Sequence, residues 1–105
     1  MGQLVIVAYR PRPGREEELL AVVRRHVSVL VAEGLATNRA AYVGRAADGT
    51  VVEVFEWRSA DAIRRAHESR AVQALWADFG AVCDYVPLAE LAETRQPFAT
   101  FEALA

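Results

Sequence analysis

The stretch RAAYVGRAADGTVVEVFEWR, residues 39–58, decides the fold, because two strand-like segments flank a tight-turn signal in it. Asp48 and Gly49 form a dipeptide typical of β-hairpin turns, so residues 39–45 and 51–58 are predicted to be antiparallel strands. Side chains alternate along a strand, which gives the second strand two different faces. One face carries Glu53, Phe55 and Trp57, and the other carries Val52, Val54 and Glu56.

Upstream of the hairpin, the chain begins with a strand and a helix. Residues 4–10 are continuously apolar and rich in β-branched side chains, which predicts a buried strand that ends at the turn sequence of residues 11–14. Residues 15–32 then change to helical spacing, with three glutamates in the first turn. Gly34 is predicted to stop this helix.

Downstream, Ser59 is a good N-cap for a second helix, and Ser69 offers a second cap at which this helix can break or bend. Apolar residues then recur at helical spacing over residues 72–83. Residues 84–88 are predicted to form a short fourth strand, and residues 97–104 form an extended segment with apolar side chains at alternate positions.

The order strand, helix, strand, strand, helix, strand predicts an α+β fold of the ferredoxin-like, split βαβ type. We expect a single domain over residues 1–105, with two helices on one face of a four-stranded antiparallel sheet. The other face would expose apolar side chains in a monomer. We therefore expect a homodimer in which the sheet of a two-fold copy closes over this face, with residues 91–105 as a tail that packs on the partner subunit.

Composition narrows the chemistry available to the chain. All 12 basic residues among the 105 are arginines, which excludes a Schiff-base lysine and a Walker-type phosphate loop. The formal net charge of −2 argues against nucleic-acid binding. One cysteine and two histidines are too few for a zinc set, so we expect no metal. The chain has neither a long apolar segment nor a basic leader, so we expect a cytoplasmic protein without membrane contact.

Proton chemistry would then rest on histidines and carboxylates, and three such residues are candidate catalytic groups. His26 lies within the apolar arc of the first helix, as a base or as a hydrogen-bonded core residue. His67 lies before the expected helix break, and either faces a pocket or joins helix and strand. Glu53 lies beside aromatic residues, as a base or as an ion-pair partner of Arg39 or Arg45 across the hairpin.

Aromatic residues supply the candidate substrate-binding groups. The tyrosines could donate phenolic hydrogen bonds or pack at a sheet edge, and the larger rings could enclose a flat apolar cavity or fill the core. These candidates are Tyr9, Tyr42, Phe55, Trp57, Trp76 and Phe79.

Several segments together resemble the antibiotic biosynthesis monooxygenase family of dimeric α+β barrel proteins. They are the opening strand with its continuation PGREEEL at residues 13–19, the strand end VFEWRS at residues 54–59, AHES at residues 66–69, and residues 75–88. The resemblance covers about residues 3–90. It implies the ferredoxin-like fold and an apolar pocket in each subunit.

The resemblance also implies a reaction, because well-known members oxidise polyphenolic polyketides with O₂ and use neither metal nor flavin. Other members degrade haem with an Asn, a Trp and a His. The corresponding positions here are Val7, Ala66 and Trp76, so haem degradation is not expected and no cofactor is assigned. The leading hypothesis is a cofactor-independent monooxygenase of an aromatic or polyketide-like molecule. The alternatives are a non-catalytic dimeric module that binds a small apolar ligand or has a filled barrel, and an isomerase or lyase of the same superfamily.

Overall fold

The computed structural model describes residues 1–104, and its helices and strands follow the predicted order. The elements are β1 (Gln3–Pro11), α1 (Glu16–Ala32), β2 (Tyr42–Arg45), β3 (Val51–Trp57), α2 (Ala60–Ala66), α3 (Arg70–Val82), β4 (Cys83–Val86) and β5 (Glu102–Leu104). The strands are paired edge to edge in the order β4-β1-β3-β2-β5, and each neighbouring pair is antiparallel. Two short 3₁₀ turns, Leu88–Glu90 and Ala92–Arg95, connect β4 to β5.

This arrangement confirms the α+β, ferredoxin-like prediction and corrects two details of it. Within residues 1–104 the sheet has five strands instead of four, because β5 of the tail pairs with the free edge of β2. The expected second helix is divided into α2 and α3, so three α-helices are described instead of two. The division falls at the predicted break, where the Ser69 hydroxyl accepts a hydrogen bond from the Val72 amide.

The helices cover one face of the sheet, which we call the inner face. The predicted alternation of β3 is confirmed, since Phe55 and Trp57 pack with helix residues such as Leu30 and Val72. A second buried cluster on this face joins β1 to α1 and α3 through Tyr9, Leu19 and Phe79. The core therefore lies between the sheet and the helices, and it surrounds the candidate site.

The opposite, outer face is covered in one half only. In its covered half, Ala8, Ala46 and Val52 pack against Leu91, which lies between the two 3₁₀ turns, with Phe101 alongside. The tail thus packs on its own sheet in the single chain, and contact between the tail and a partner subunit stays a prediction. The other half of the face exposes Leu4, Ile6 and Tyr42.

Candidate functional site

A cavity of about 340 Å³ opens between the inner face and the helices, and we call it the first cavity. Its walls are almost entirely aromatic or aliphatic, with two imidazole rings and two phenols among them. Every residue predicted to form the site lines this cavity except Glu53 and Tyr42. The lining residues are Val5, Val7, Tyr9, His26, Phe55, Trp57, His67, Trp76, Phe79 and Tyr85.

Strand register explains why these side chains converge. Alternate residues of β1 point inward, and Tyr9 lies opposite Val51 on β3 and opposite Tyr85 on β4. Phe55 follows on the same face of β3 and pairs with Val5 of β1. α1 supplies His26 from above the sheet, where its ring meets both Phe55 and Phe79 edge-on at 5.0 Å between centroids.

Tyr9, His26 and Glu53 form a buried hydrogen-bonded network beside the first cavity. The Tyr9 hydroxyl donates to Oε1 of Glu53 at 2.7 Å, and Nδ1 of His26 lies 2.6 Å from the same oxygen. The three residues are 1%, 4% and 0% exposed, respectively, so water does not compete for these bonds. Burial, together with the charge of Glu53, raises the pKa of the Tyr9 hydroxyl far above its usual value, which keeps it a donor.

The network sets the tautomer of His26. A carboxylate only accepts hydrogen bonds, so we assign the imidazole proton to Nδ1, from which it is donated to Glu53. Nε2 has no hydrogen-bond partner within residues 1–104. His26 also lines the first cavity. The arrangement therefore leaves the Nε2 lone pair as an acceptor that a bound molecule can use.

The proposed alternative of an ion pair from Glu53 to Arg39 or Arg45 is wrong. Arg39 pairs with Glu56 at 2.9 Å, and Arg45 pairs with Glu102 of the tail at 2.9 Å. Glu53 points into the protein because it shares the inner face of β3 with Phe55. Oε1 of Glu53 therefore meets the buried donors of β1 and α1 instead of the surface guanidinium groups.

His67 and Tyr42 occupy different surroundings. The His67 ring is exposed at the junction of α2 and α3, and it contacts Trp76 with centroids 4.9 Å apart, so it lies at the rim of the first cavity. Tyr42 is in register with Val54 on the outer face and is 80% exposed. The structure therefore brings His67 to the cavity and leaves Tyr42 on the other side of the sheet.

Sequence reasoning missed Tyr85, Val5 and Val7. Tyr85 is the omission that bears most on the site, because its ring lies 5.7 Å from that of Tyr9 and its partial burial raises the pKa of its hydroxyl to about 12. Its position in the short fourth strand gave no signal by itself. Only the pairing of Tyr9 with Tyr85 places it at the site.

Among residues 1–104, no group of three or more His, Cys, Asp or Glu side chains is placed to hold a metal ion. None of the helices in the same range combines the length and apolar character needed to cross a bilayer.

Comparison with known proteins places the chain in a family. The family model described as antibiotic biosynthesis monooxygenase matches residues 3–77. The chain belongs to this family. The matched segment runs from β1 into α3, so it includes Tyr9, His26, Glu53, His67 and Trp76 of the site. No curated protein and no solved structure matches the chain.

Proposed function

We propose that this family member is a cofactor-independent monooxygenase that oxidises an aromatic or polyketide-like small molecule with O₂. The observation that carries the proposal is the buried Glu53–His26 pair at the wall of an apolar, aromatic cavity. A carboxylate behind an imidazole orients the ring and stabilises the imidazolium that forms when the ring takes a proton.

The proposed reaction begins with proton removal. Nε2 of His26 takes a proton from the activated methylene of an anthrone-type ring, and the Nδ1–H group stays hydrogen-bonded to Glu53. The electron-rich carbanion then reduces O₂, and the new carbon–oxygen bond gives a peroxide on that carbon. The imidazolium returns its proton to the peroxide. Nε2 then removes the remaining hydrogen of that carbon as the C=O bond forms and the O–O bond breaks, and the departing hydroxide takes this proton and leaves as water. The methylene carbon thus loses two hydrogens and gains one oxygen, and the second oxygen leaves as water.

The walls of the cavity suit this chemistry. Trp57, Phe79 and Trp76 provide apolar surfaces for a flat ring system, and a dry cavity strengthens the electrostatic interaction between the base and its proton. The volume of about 340 Å³ lies at the lower end of the range typical of small-molecule sites, about 300–1,000 Å³. Tyr9 and Tyr85 add phenols near the reacting centre, and a cavity bordered by imidazole and phenol favours an enzyme over a filled barrel.

O₂ uptake tests this function directly. The purified protein is incubated with anthrone-type and hydroquinone-type substrates in an oxygen electrode, and product is followed by absorbance. His26→Ala should lower kcat about 100-fold or more, because general-base catalysis contributes about 10²–10⁴-fold. Glu53→Gln should also lower kcat, while His67→Ala at the cavity rim should act mainly on KM.

Ser28→Ala is the matched control, since Ser28 lies on the same helix and is exposed. It should retain full activity. A panel that gives no O₂ uptake above buffer would refute the oxygenase and favour the non-catalytic ligand-binding module. Uptake that is indifferent to His26→Ala would refute the assigned base.

We also propose that the protein works as a homodimer through the outer sheet face and that it works in the cytoplasm. The half of the outer face that carries Leu4, Ile6 and Tyr42 is an exposed apolar patch, and a two-fold copy is the simplest cover for it. A buried, unpaired Cys83 suits a reducing compartment.

A further inference from the structure

A second cavity, of about 370 Å³, lies on the inner face between α1 and the β2 edge of the sheet. Its apolar walls come from Leu20, Val23 and Val27 of α1 and from Val43 of β2. His26 and the aromatic residues of the first cavity do not contribute to it within the described chain. The two cavities therefore use different sides of α1.

Glu53 joins the two cavities, because it lines the second one while its Oε1 atom accepts the bonds from Tyr9 and His26. Its other oxygen, Oε2, is fully buried and has no hydrogen-bond partner within residues 1–104. A buried carboxylate oxygen without a donor is unfavourable, so Oε2 gains a hydrogen bond if a donor reaches it. Because Glu53 is 0% exposed, a molecule in the second cavity reaches Oε2 only when the side chains of α1 and β2 around it shift.

Arg24 gives the second cavity a positive group. Its side chain is exposed and lines the cavity, so it lies where the cavity meets solvent. Arg24 forms no ion pair in the part of the chain that the structure describes. The cavity thus combines an acceptor in its interior, apolar walls and a guanidinium group at the solvent. A ligand that matches all three has a hydroxyl, an apolar body and a carboxylate.

We propose that the second cavity binds a small hydroxy acid with an apolar body. Its hydroxyl donates to Oε2 of Glu53, its body packs against the valines of α1 and β2, and its carboxylate pairs with Arg24. This site does not depend on the oxygenase reaction, since it uses the Glu53 oxygen that the His26 network leaves free.

Three probes separate these contributions: 4-hydroxybenzoate, benzoate and phenol, each titrated into the full chain by calorimetry and by amide NMR. We expect 4-hydroxybenzoate to bind about tenfold more tightly than benzoate, which lacks the hydroxyl, and more tightly than phenol, which lacks the carboxylate. Its shifts should centre on the amides of Val23, Val27 and Val43, and not on those of Val5 and Phe55.

Two variants sharpen the assignment. Arg24→Gln should weaken the affinity for 4-hydroxybenzoate several-fold and leave the affinity for phenol unchanged. Arg25 is the neighbouring exposed arginine and pairs with Asp78, so Arg25→Gln is the matched control. It should change neither of these two affinities. Val43→Phe should fill the cavity and weaken all three probes, with circular dichroism used to verify the fold.

Three results would overturn the proposal. The first is no binding of any probe at millimolar concentration to the folded wild-type chain. The second is equal affinity for benzoate and 4-hydroxybenzoate, since Oε2 would then accept nothing. The third is a set of NMR shifts confined to the walls of the first cavity.

Discussion

The hydrogen bond from the Tyr9 hydroxyl to Glu53 is buried, so water cannot substitute for it. The hydroxyl donates to Glu53 at 2.7 Å, and the side chain of Tyr9 is buried beneath α3, with its ring stacked 4.7 Å from that of Phe79. Tyr9→Phe keeps the ring packing and removes one donor from a buried carboxylate. We expect the free energy of unfolding to fall by about 1–3 kcal/mol, as measured by urea denaturation.

Tyr85→Phe is the control for this prediction. Tyr85 is 54% exposed, and its hydroxyl makes no side-chain hydrogen bond within residues 1–104, so its loss should change the stability by less than about 0.5 kcal/mol. Equal effects of the two substitutions would mean that the Tyr9–Glu53 bond contributes nothing beyond ring packing, and the network would then lose its structural role.

At the scale of residues, most members of the site could be predicted from the sequence, but the contacts between them could not. His26 and Glu53 stand out in the sequence as polar residues at apolar positions. The two lie 27 residues apart, and Tyr9 and Glu53 lie 44 apart. Such contacts depend on how α1 lies across the sheet and on the β1–β3 register, which local pattern does not specify. The mistaken arginine partners followed from considering the hairpin alone.

At the scale of elements, the break between α2 and α3 is defined by specific side-chain hydrogen bonds to the helix ends. The Ser59 hydroxyl accepts from the Ala62 amide at 3.1 Å, and the Ser69 hydroxyl accepts from the Val72 amide at 3.3 Å. Ser69 also donates to Glu33 beyond the end of α1 at 2.7 Å, which links the break to the first helix. The break brings His67 to the rim of the first cavity.

Replacement of either cap should therefore destabilise the protein. Ser59→Ala should lower the free energy of unfolding by about 1 kcal/mol, the usual value for a lost N-cap. Ser69→Ala should cost more, because it also removes the bond to Glu33. Thermal and urea unfolding measure both, and Ser28→Ala, an exposed position within α1, should have little effect. If Ser69→Ala proved no worse than Ser28→Ala, the cap would not be what maintains the break.

Elements with a strong local signal were predictable, and β5 was not. The helix caps and the hairpin turn could be predicted because their signals lie within a few residues of the element. These signals are Ser59, Ser69 and the Asp48-Gly49 dipeptide. β5 spans Glu102–Leu104 and pairs with β2 only because the two 3₁₀ turns carry the chain around the sheet. The extended character of the tail could be anticipated from its alternating apolar residues, but the edge that it would join could not.

At the scale of the whole molecule, the unequal covering of the outer face is the basis of the proposed homodimer. The tail covers Ala8 and Val52 through Leu91, and it stops short of the half that exposes Leu4, Ile6 and Tyr42. A second copy placed on this half would remove apolar surface from water at about 25 cal/mol per Å². The first cavity lies on the opposite face of the sheet, so the proposed dimer contact would leave it open.

We therefore expect a dimeric mass by light scattering at micromolar concentration, and a monomeric mass for Ile6→Asp. A charge at Ile6 would be buried against the partner without a counter-ion, which is costly enough to separate the subunits. Ile63→Asp is the matched control, because Ile63 is an exposed isoleucine on α2, which packs on the inner face of the sheet. It should leave the dimer intact. A monomeric wild-type chain would contradict the proposal, and so would an Ile6→Asp variant that stays dimeric, since the subunits would then meet through another surface.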